Sequence, residues 1–174
     1  MNETTLRIRN LLNKSGNRLV LAESCTSGWI AAQFGAIPGI SEFFCGSMVV
    51  YRNASKHHWL AINQAILDDL KIGPVSERVT TELAKSVLDE TPEATIAAAI
   101  TGHLGPGAPS GRDGTIFVSI ARRTLFSIES VTTIPLRLDS PCPQHENDFT
   151  ARVARQHEAG NALLTILRNV LEGI

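Results

Sequence analysis

The sequence predicts a three-layer αβα domain with a mixed, mostly parallel sheet. Three observations carry that expectation. Short strand-like runs at 19–22, 47–51 and 94–100 alternate with segments of helical spacing, the order expected of βαβ units. The first and third runs are apolar at successive positions, as in strands covered by helices on both faces. Two further runs, 115–121 and 127–136, are separated only by a short turn that starts at Arg122-Arg123-Thr124, which suits an antiparallel hairpin with the last strand at an edge.

The elements follow in order. Leu6, Ile8, Leu11 and Leu12 mark a first helix, which ends at Ser15-Gly16-Asn17 because Gly16 tolerates a left-handed backbone. The strand at 19–22 turns through 23–28 into a short apolar helix, 29–34, and Pro38-Gly39 breaks the chain. After the strand at 47–51, Asn53 or Ser55 is suited to cap a helix carrying Trp59, Leu60 and Ile62. Ile66, Leu67 and Leu70 form one more helical turn before Gly73. Ser76 caps a helix whose Val79, Leu83, Val87 and Leu88 share one face, and Thr91-Pro92 stops it. Alanines dominate the strand at 94–100 and leave room for a closely packed helix. The loop 101–114 holds five glycines and two prolines, and a loop of that length between strong strands is expected to be functional. Pro141-Cys142-Pro143 precedes a final helix from Asn147 or Asp148 toward Glu172.

Three loops follow strand ends, at 23–28, 52–56 and 101–114. Ligands in open α/β sheets bind beyond the carboxyl ends of the strands, so these loops are expected to share one crevice. Ser24 becomes a nucleophile there if a base takes its proton. Lys56, Tyr51 and His103 are the candidates, and a buried lysine has the lowered pKa the role needs. The alternative is that Ser24 only caps the helix. Cys25 is the rival nucleophile, since a thiol at a helix N-terminus is acidified; its plainer role is a small buried apolar group. Thr26, Ser27 and Gly28 are placed to cradle a phosphate on first-turn N–H groups. Gly102, Gly105 and Gly107 are turn formers or points of close backbone approach. Arg152 and Arg155 open the last helix as solvent-facing residues or as carboxylate or phosphate partners.

Composition excludes several classes. The 174 residues suit one domain, and a net charge of -1 argues against a nucleic-acid surface. Three cysteines, Cys25, Cys45 and Cys142, make no disulfide framework and point to a reducing compartment. Residues 1–10 carry too much charge for a signal peptide, and no apolar run is long enough for a bilayer. A soluble, cytoplasmic protein with no membrane partner is expected. No histidine has a second ligand at metal spacing, so neither a metal nor a cofactor is expected.

Several motifs together resemble a known family. Residues 21–28, LAESCTSG, resemble the LAESCTGG signature of the C-terminal domain of the CinA (competence/damage-inducible) family. Residues 46–56 resemble its GGVVAYSNxxK segment, and 73–77 its GAVSE segment. Residues 101–107 resemble TGIAGPGG, and Gly114-Thr115 the start of its GTV strand. The resemblance implies a stand-alone form of that domain over residues 1–174. It also implies a nicotinamide-nucleotide amidase, which hydrolyses the carboxamide of nicotinamide mononucleotide to nicotinate mononucleotide and ammonia without a cofactor. On that reading Ser24 attacks, and Tyr51 and Lys56 handle the protons. Cys25, Thr26, Ser27, Gly28, Thr101, Gly102, Gly105 and Arg155 line the nucleotide, and the protein is a homodimer. The departures favour an alternative, an inactive or substrate-shifted paralogue that binds a nucleotide or a partner. Ser27 stands where the signature has glycine, His103-Leu104 replaces Ile-Ala, and the loop at 108–113 is rewritten. Ala151 stands where the family has an arginine, with Arg152 one position on and Arg155 matching a second arginine.

Overall fold

The structure, a computed structural model, describes residues 3–173. Met1 and Asn2, the start of the stretch expected not to be a signal peptide, and Ile174 lie outside the described residues.

The first helix, α1 (Glu3–Ser15), buries Ile8 and Leu12 and stops where Gly16 takes a φ of 67°. It leads into β1 (Leu19–Glu23), which is buried at every position. The chain continues through α2 (Trp29–Gly35), a 3-10 turn (Ile40–Glu42), β2 (Phe44–Val49), α3 (Asn53–Leu60) and α4 (Gln64–Leu67). It then forms α5 (Glu77–Asp89), β3 (Ile96–Gly102), β4 (Thr115–Arg123), β5 (Ile128–Arg137) and α6 (Phe149–Glu172).

The sheet has the order β2-β1-β3-β4-β5. β1 lies parallel to both β2 and β3, while β4 is antiparallel to β3 and β5. Only β4 therefore runs against the others, which is the mixed, mostly parallel arrangement. The hairpin and the edge position of its last strand are as expected. Side-chain alternation divides the core into two layers. Leu19, Leu21, Ala98 and Ile100 face α1, α2 and α6 through Ile8, Ile30, Leu163 and Leu167. Val20, Ala22, Ala97 and Ala99 face α3 and α5 through Leu60, Val79, Leu83 and Val87. A run of three alanines in β3 lets helices approach both faces.

Two strands are shifted at both ends by two residues or more from the sequence reading, and the others by at most two at one end or one at each. β2 spans 44–49 rather than 47–51. Pairing starts where the Leu19 N–H donates to Phe43 O and finishes where the Val50 N–H donates to Glu23 O, each at 2.8 Å. The chain then leaves the sheet to begin α3, so Tyr51 is a loop residue. β3 spans 96–102 rather than 94–100, because the Ala94 N–H closes a turn onto Thr91 O at 2.9 Å. At its far end Thr101 and Gly102 remain paired with Phe117 and Ile116.

α3 starts after Arg52 without a side-chain cap. Ser76 and Asp148 do cap their helices, accepting from the N–H groups of Val79 and Ala151. α6 crosses α2 at Gly160, where an added Cβ would come within 2.3 Å of the Trp29 ring. One turn earlier His157 stacks on the same ring at 5.0 Å. No helix among the described residues is long and apolar enough to cross a membrane.

Candidate active site

The turn after β1 is built around a carboxylate. Glu23 is fully buried. Its Oε2 accepts from Thr26 Oγ1 at 2.8 Å, the Gly28 N–H at 3.0 Å and the Ile30 N–H at 3.1 Å. Its Oε1 accepts from the Ala31 N–H at 2.9 Å and Ser47 Oγ at 3.2 Å. The unpaired donors of a helix start hold this anion, and they offset the cost of burying its charge. The expected phosphate cradle at Thr26, Ser27 and Gly28 is thus corrected, since the anion it holds is the protein's own. Ser27 is exposed with a φ of 53°, a left-handed conformation that costs about 1 kcal/mol with a Cβ present. Glycine at this position in the family signature has a steric reason.

Ser24 follows Glu23 and is only 7% exposed. It does not cap α2. The capping position belongs to Gly28, and no side chain bonds there. Cys25 is buried, and its burial pushes the thiol up to about 12, so it carries no thiolate at neutral pH. Lys56 on α3 is 2% exposed, and its Nζ donates to Tyr51 O at 3.2 Å. Burial lowers its amine from 10.5 to about 8. α3 follows β2, which lies parallel beside β1, so Ser24 and Lys56 both lie beyond the carboxyl ends of adjacent strands.

Tyr51 sits at the rim, about half exposed. Its hydroxyl accepts from Arg152 Nη2 at 3.1 Å, and Arg152 Nη1 donates to Gly105 O at 2.5 Å. A single guanidinium on α6 thereby ties the loop after β2 to the loop after β3. Beside it lies a cavity of about 390 Å³ bordered by Tyr51, Gly105, Pro106, Phe149 and Arg152.

The remaining expected residues have other tasks. Thr101 is fully buried, and its hydroxyl shares a 2.7 Å hydrogen bond with Thr80 on α5. It joins strand to helix and does not line the crevice. Gly102 abuts the turn after β1, where an added Cβ would meet Ile116 Cγ2 at 2.6 Å and Cys25 Sγ at 3.0 Å. Gly105 has a φ of 64°, and its Cβ would meet Cys142 Sγ at 2.8 Å. Arg155 is also corrected. It is 4% exposed and donates to both oxygens of Asp113 at 2.8 Å each, and to Ser140 O at 3.0 Å. This pair draws the Asp113 carboxyl down to about 2. Cys142 Sγ donates to the same carboxylate at 3.2 Å. Arg155 therefore pins the 103–114 loop and has no free fork for a nucleotide.

Sequence reasoning gave no role to Glu23, Asp113 or Gln156, whose Nε2 donates to Thr26 O at 2.9 Å. A signal did exist for Glu23, a lone carboxylate ending an apolar strand and followed by hydroxyl and glycine residues. Asp113 and Gln156 act on partners 42 and 130 positions away, and no local pattern announces them. No group of three or more His, Cys, Asp or Glu suited to a metal ion occurs among the described residues.

Fold and site together define a three-layer α/β protein with a buried serine after β1 and a buried lysine on α3. The comparisons give that class a family. A family model, the CinA C-terminal domain, matches residues 1–139, so the chain belongs to the CinA C-terminal domain family. The match ends ahead of α6, which carries Arg152 and Arg155. A CinA-like protein of Pseudothermotoga lettingae is 34% identical over 146 residues, covering 83% of this chain and 33% of that relative. One from Geobacter metallireducens is 37% identical over 116 residues, covering 66% and 27%. The chain thus spans about a third of the length of the curated relatives it matches. Among solved structures, a CinA superfamily protein from Klebsiella pneumoniae superposes with a TM-score of 0.82 at 27% identity, covering all of both chains. A competence or damage-inducible protein from Enterobacter asburiae gives 0.73 at 28% identity, covering 95% and 96%.

Proposed function

We propose that the protein is an amidohydrolase of the nicotinamide-nucleotide amidase kind, converting nicotinamide mononucleotide to nicotinate mononucleotide and ammonia. One observation carries the reading, a buried lysine beyond the end of β2, beside the strand that Ser24 follows, with its amine lowered to about 8. An amine tuned toward neutral pH is suited to take the proton of a serine hydroxyl. Ser24 Oγ then bonds to the carboxamide carbon, and its proton passes to Lys56 Nζ. N–H groups of the Cys25 and Gly102 backbone hold the resulting oxyanion. The C–N bond breaks, Lys56 returns the proton, and ammonia leaves an ester on Ser24. A water molecule, deprotonated by the same amine, hydrolyses that ester. Tyr51 and Arg152 border the entrance and orient the substrate there.

The reading extends to a cytoplasmic homodimer, which sedimentation over a range of concentrations checks. Ammonia release against a panel of pyridine nucleotides tests the activity. The expected result is turnover of nicotinamide mononucleotide that Ser24→Ala lowers by at least about 10³-fold without a change in melting temperature. The second reading, a nucleotide-binding paralogue without turnover, is favoured by His103 and the loop at 108–113. Binding of the nucleotide with no ammonia release from the unaltered protein would establish it in place of the first.

A further inference from the structure

Two of the residues that depart from the family motifs meet in one place. His103 follows β3, and Arg112 lies near the end of the long loop. Together with Lys71 and Ser76 they line a cavity of about 230 Å³. Ile72, Val75 and Phe117 form its apolar walls. The volume is below that of a site for a whole drug-sized ligand and suits a fragment. Apolar walls lower the local dielectric and strengthen any charge inside.

The cavity holds unspent positive charge. Arg112 Nη2 donates to Lys71 O at 2.9 Å, which ties the two segments together and leaves the rest of the fork unused. Among the described residues no carboxylate forms an ion pair with Arg112 or Lys71. The nearest candidate, Asp113, is held by Arg155. Ser76, at the cavity wall, caps the start of the 13-residue α5, so the positive end of that helix dipole adds to the same field. His103 Nε2 is buried without a hydrogen-bond partner, an arrangement that is costly unless something completes it.

We propose that the cavity between Lys71, Ser76, His103 and Arg112 is a binding site for a phosphate-class anion, and that it seats the phosphate end of the substrate. The topology suits that use. β3 lies beside β1, and β4 beside β3, so across the sheet a cavity at the end of β3 and the start of β4 is offset from the turn after β1 by one to two strand spacings, roughly 5–10 Å. The carboxamide and the phosphate of a nicotinamide nucleotide lie at opposite ends of the molecule. The seating of a substrate tail rests on the amidase reading, whereas the anion site does not. It also supplies what α2 does not, since Glu23 already occupies the start of that helix.

The probe is inorganic phosphate, added to the full chain at constant ionic strength and followed by the His103 imidazole NMR signal, which is assigned by its loss in His103→Asn. The expected result is a saturable shift whose apparent affinity falls about tenfold or more in Arg112→Gln, the loss of one charge-assisted anchor, and by a smaller factor in Lys71→Gln. No saturable shift, or an affinity that both variants leave unaltered, would overturn the proposal. Nicotinamide mononucleotide added to Ser24→Ala protein separates the two sources of the anion. Competition with phosphate assigns the site to the substrate tail; simultaneous binding assigns it to a free phosphate and overturns the tail seating. In turnover, Arg112→Gln is expected to raise KM for the nucleotide and to lower its preference over the dephosphorylated nucleoside by a similar factor. Phosphate binding without ammonia release removes the amidase reading alone. Ammonia release with no phosphate effect removes the anion site alone.

Discussion

The loops after β1 and β3 reach the same end of the sheet, and a carboxylate fixes each of them. Their fillings differ. In the first, Glu23 projects from the strand itself and takes up the donors of the following helix, with no opening left for a second anion. In the second, Asp113 is held by an arginine from a helix 42 positions further on. That leaves Arg112, Lys71 and an unpartnered imidazole around an open cavity. A closed turn holds a reacting group still, and an open one with unspent charge receives a ligand. On the proposed reading the first loop is the platform for chemistry, and the second is the place for recognition.

The largest expected effect breaks the first region. Glu23→Gln removes the charge and forces an amide among donors that all need an acceptor. A loss of about 3 kcal/mol in urea unfolding is expected. A loss under about 1 kcal/mol would mean that the carboxylate is not what organises the turn.

A smaller effect separates the second region. Asp113→Asn leaves the buried Arg155 with only the Ser140 carbonyl as a strong acceptor. Because the Asp113 side chain is a third exposed, the expected cost is about 2 kcal/mol, below that of a fully buried pair. The sign with pH follows from the depressed carboxyl. Its folded pKa is about 2 against 3.8 unfolded, so its contribution is complete above about pH 4 and is lost as pH falls through 2. The unaltered protein should lose stability over that window, and the variant should lose less. Equal acid profiles would contradict the pairing.

The smallest effect has the opposite direction. Lys56 is a buried amine with one carbonyl partner, and its folded pKa of about 8 lies below the unfolded 10.5. Between those values the unfolded chain holds a proton that the folded chain has released, so stability rises with pH there; below about 8 the penalty is constant. Lys56→Met is expected to stabilise the protein by about 1–2 kcal/mol at pH 6 while removing activity. Unfolding curves at pH 6 and pH 10 check this, since the advantage should shrink at the higher pH. Destabilisation at pH 6 would show that the amine is held by more than it costs.

Much of the fold was legible because its signals are local. Apolar strands such as 19–22, the Ser76 cap and the spacing of Val79, Leu83 and Val87 each point one way. Strand ends were less so, since pairing decides them. Nothing in residues 94–102 reveals that Thr91 captures Ala94 in a turn. At the site, Ser24 and Lys56 were legible as candidates for a nucleophile and a base because their types match that chemistry, and the structure buries both. Thr101 and Arg155 also have suitable types for binding, yet their partners, Thr80 and Asp113, lie far along the chain and draw them into the framework. The direction of a hydroxyl or a guanidinium is set by what packs beside it, and no short stretch of sequence records that.

Intact-mass analysis of protein acid-quenched during turnover of nicotinamide mononucleotide addresses the serine most directly. A nicotinoyl-nucleotide ester on the peptide containing Ser24, absent from Lys56→Met, is the expected result. The same ester in Ser24→Ala protein, or an ester mapped to another residue, would contradict the assignment.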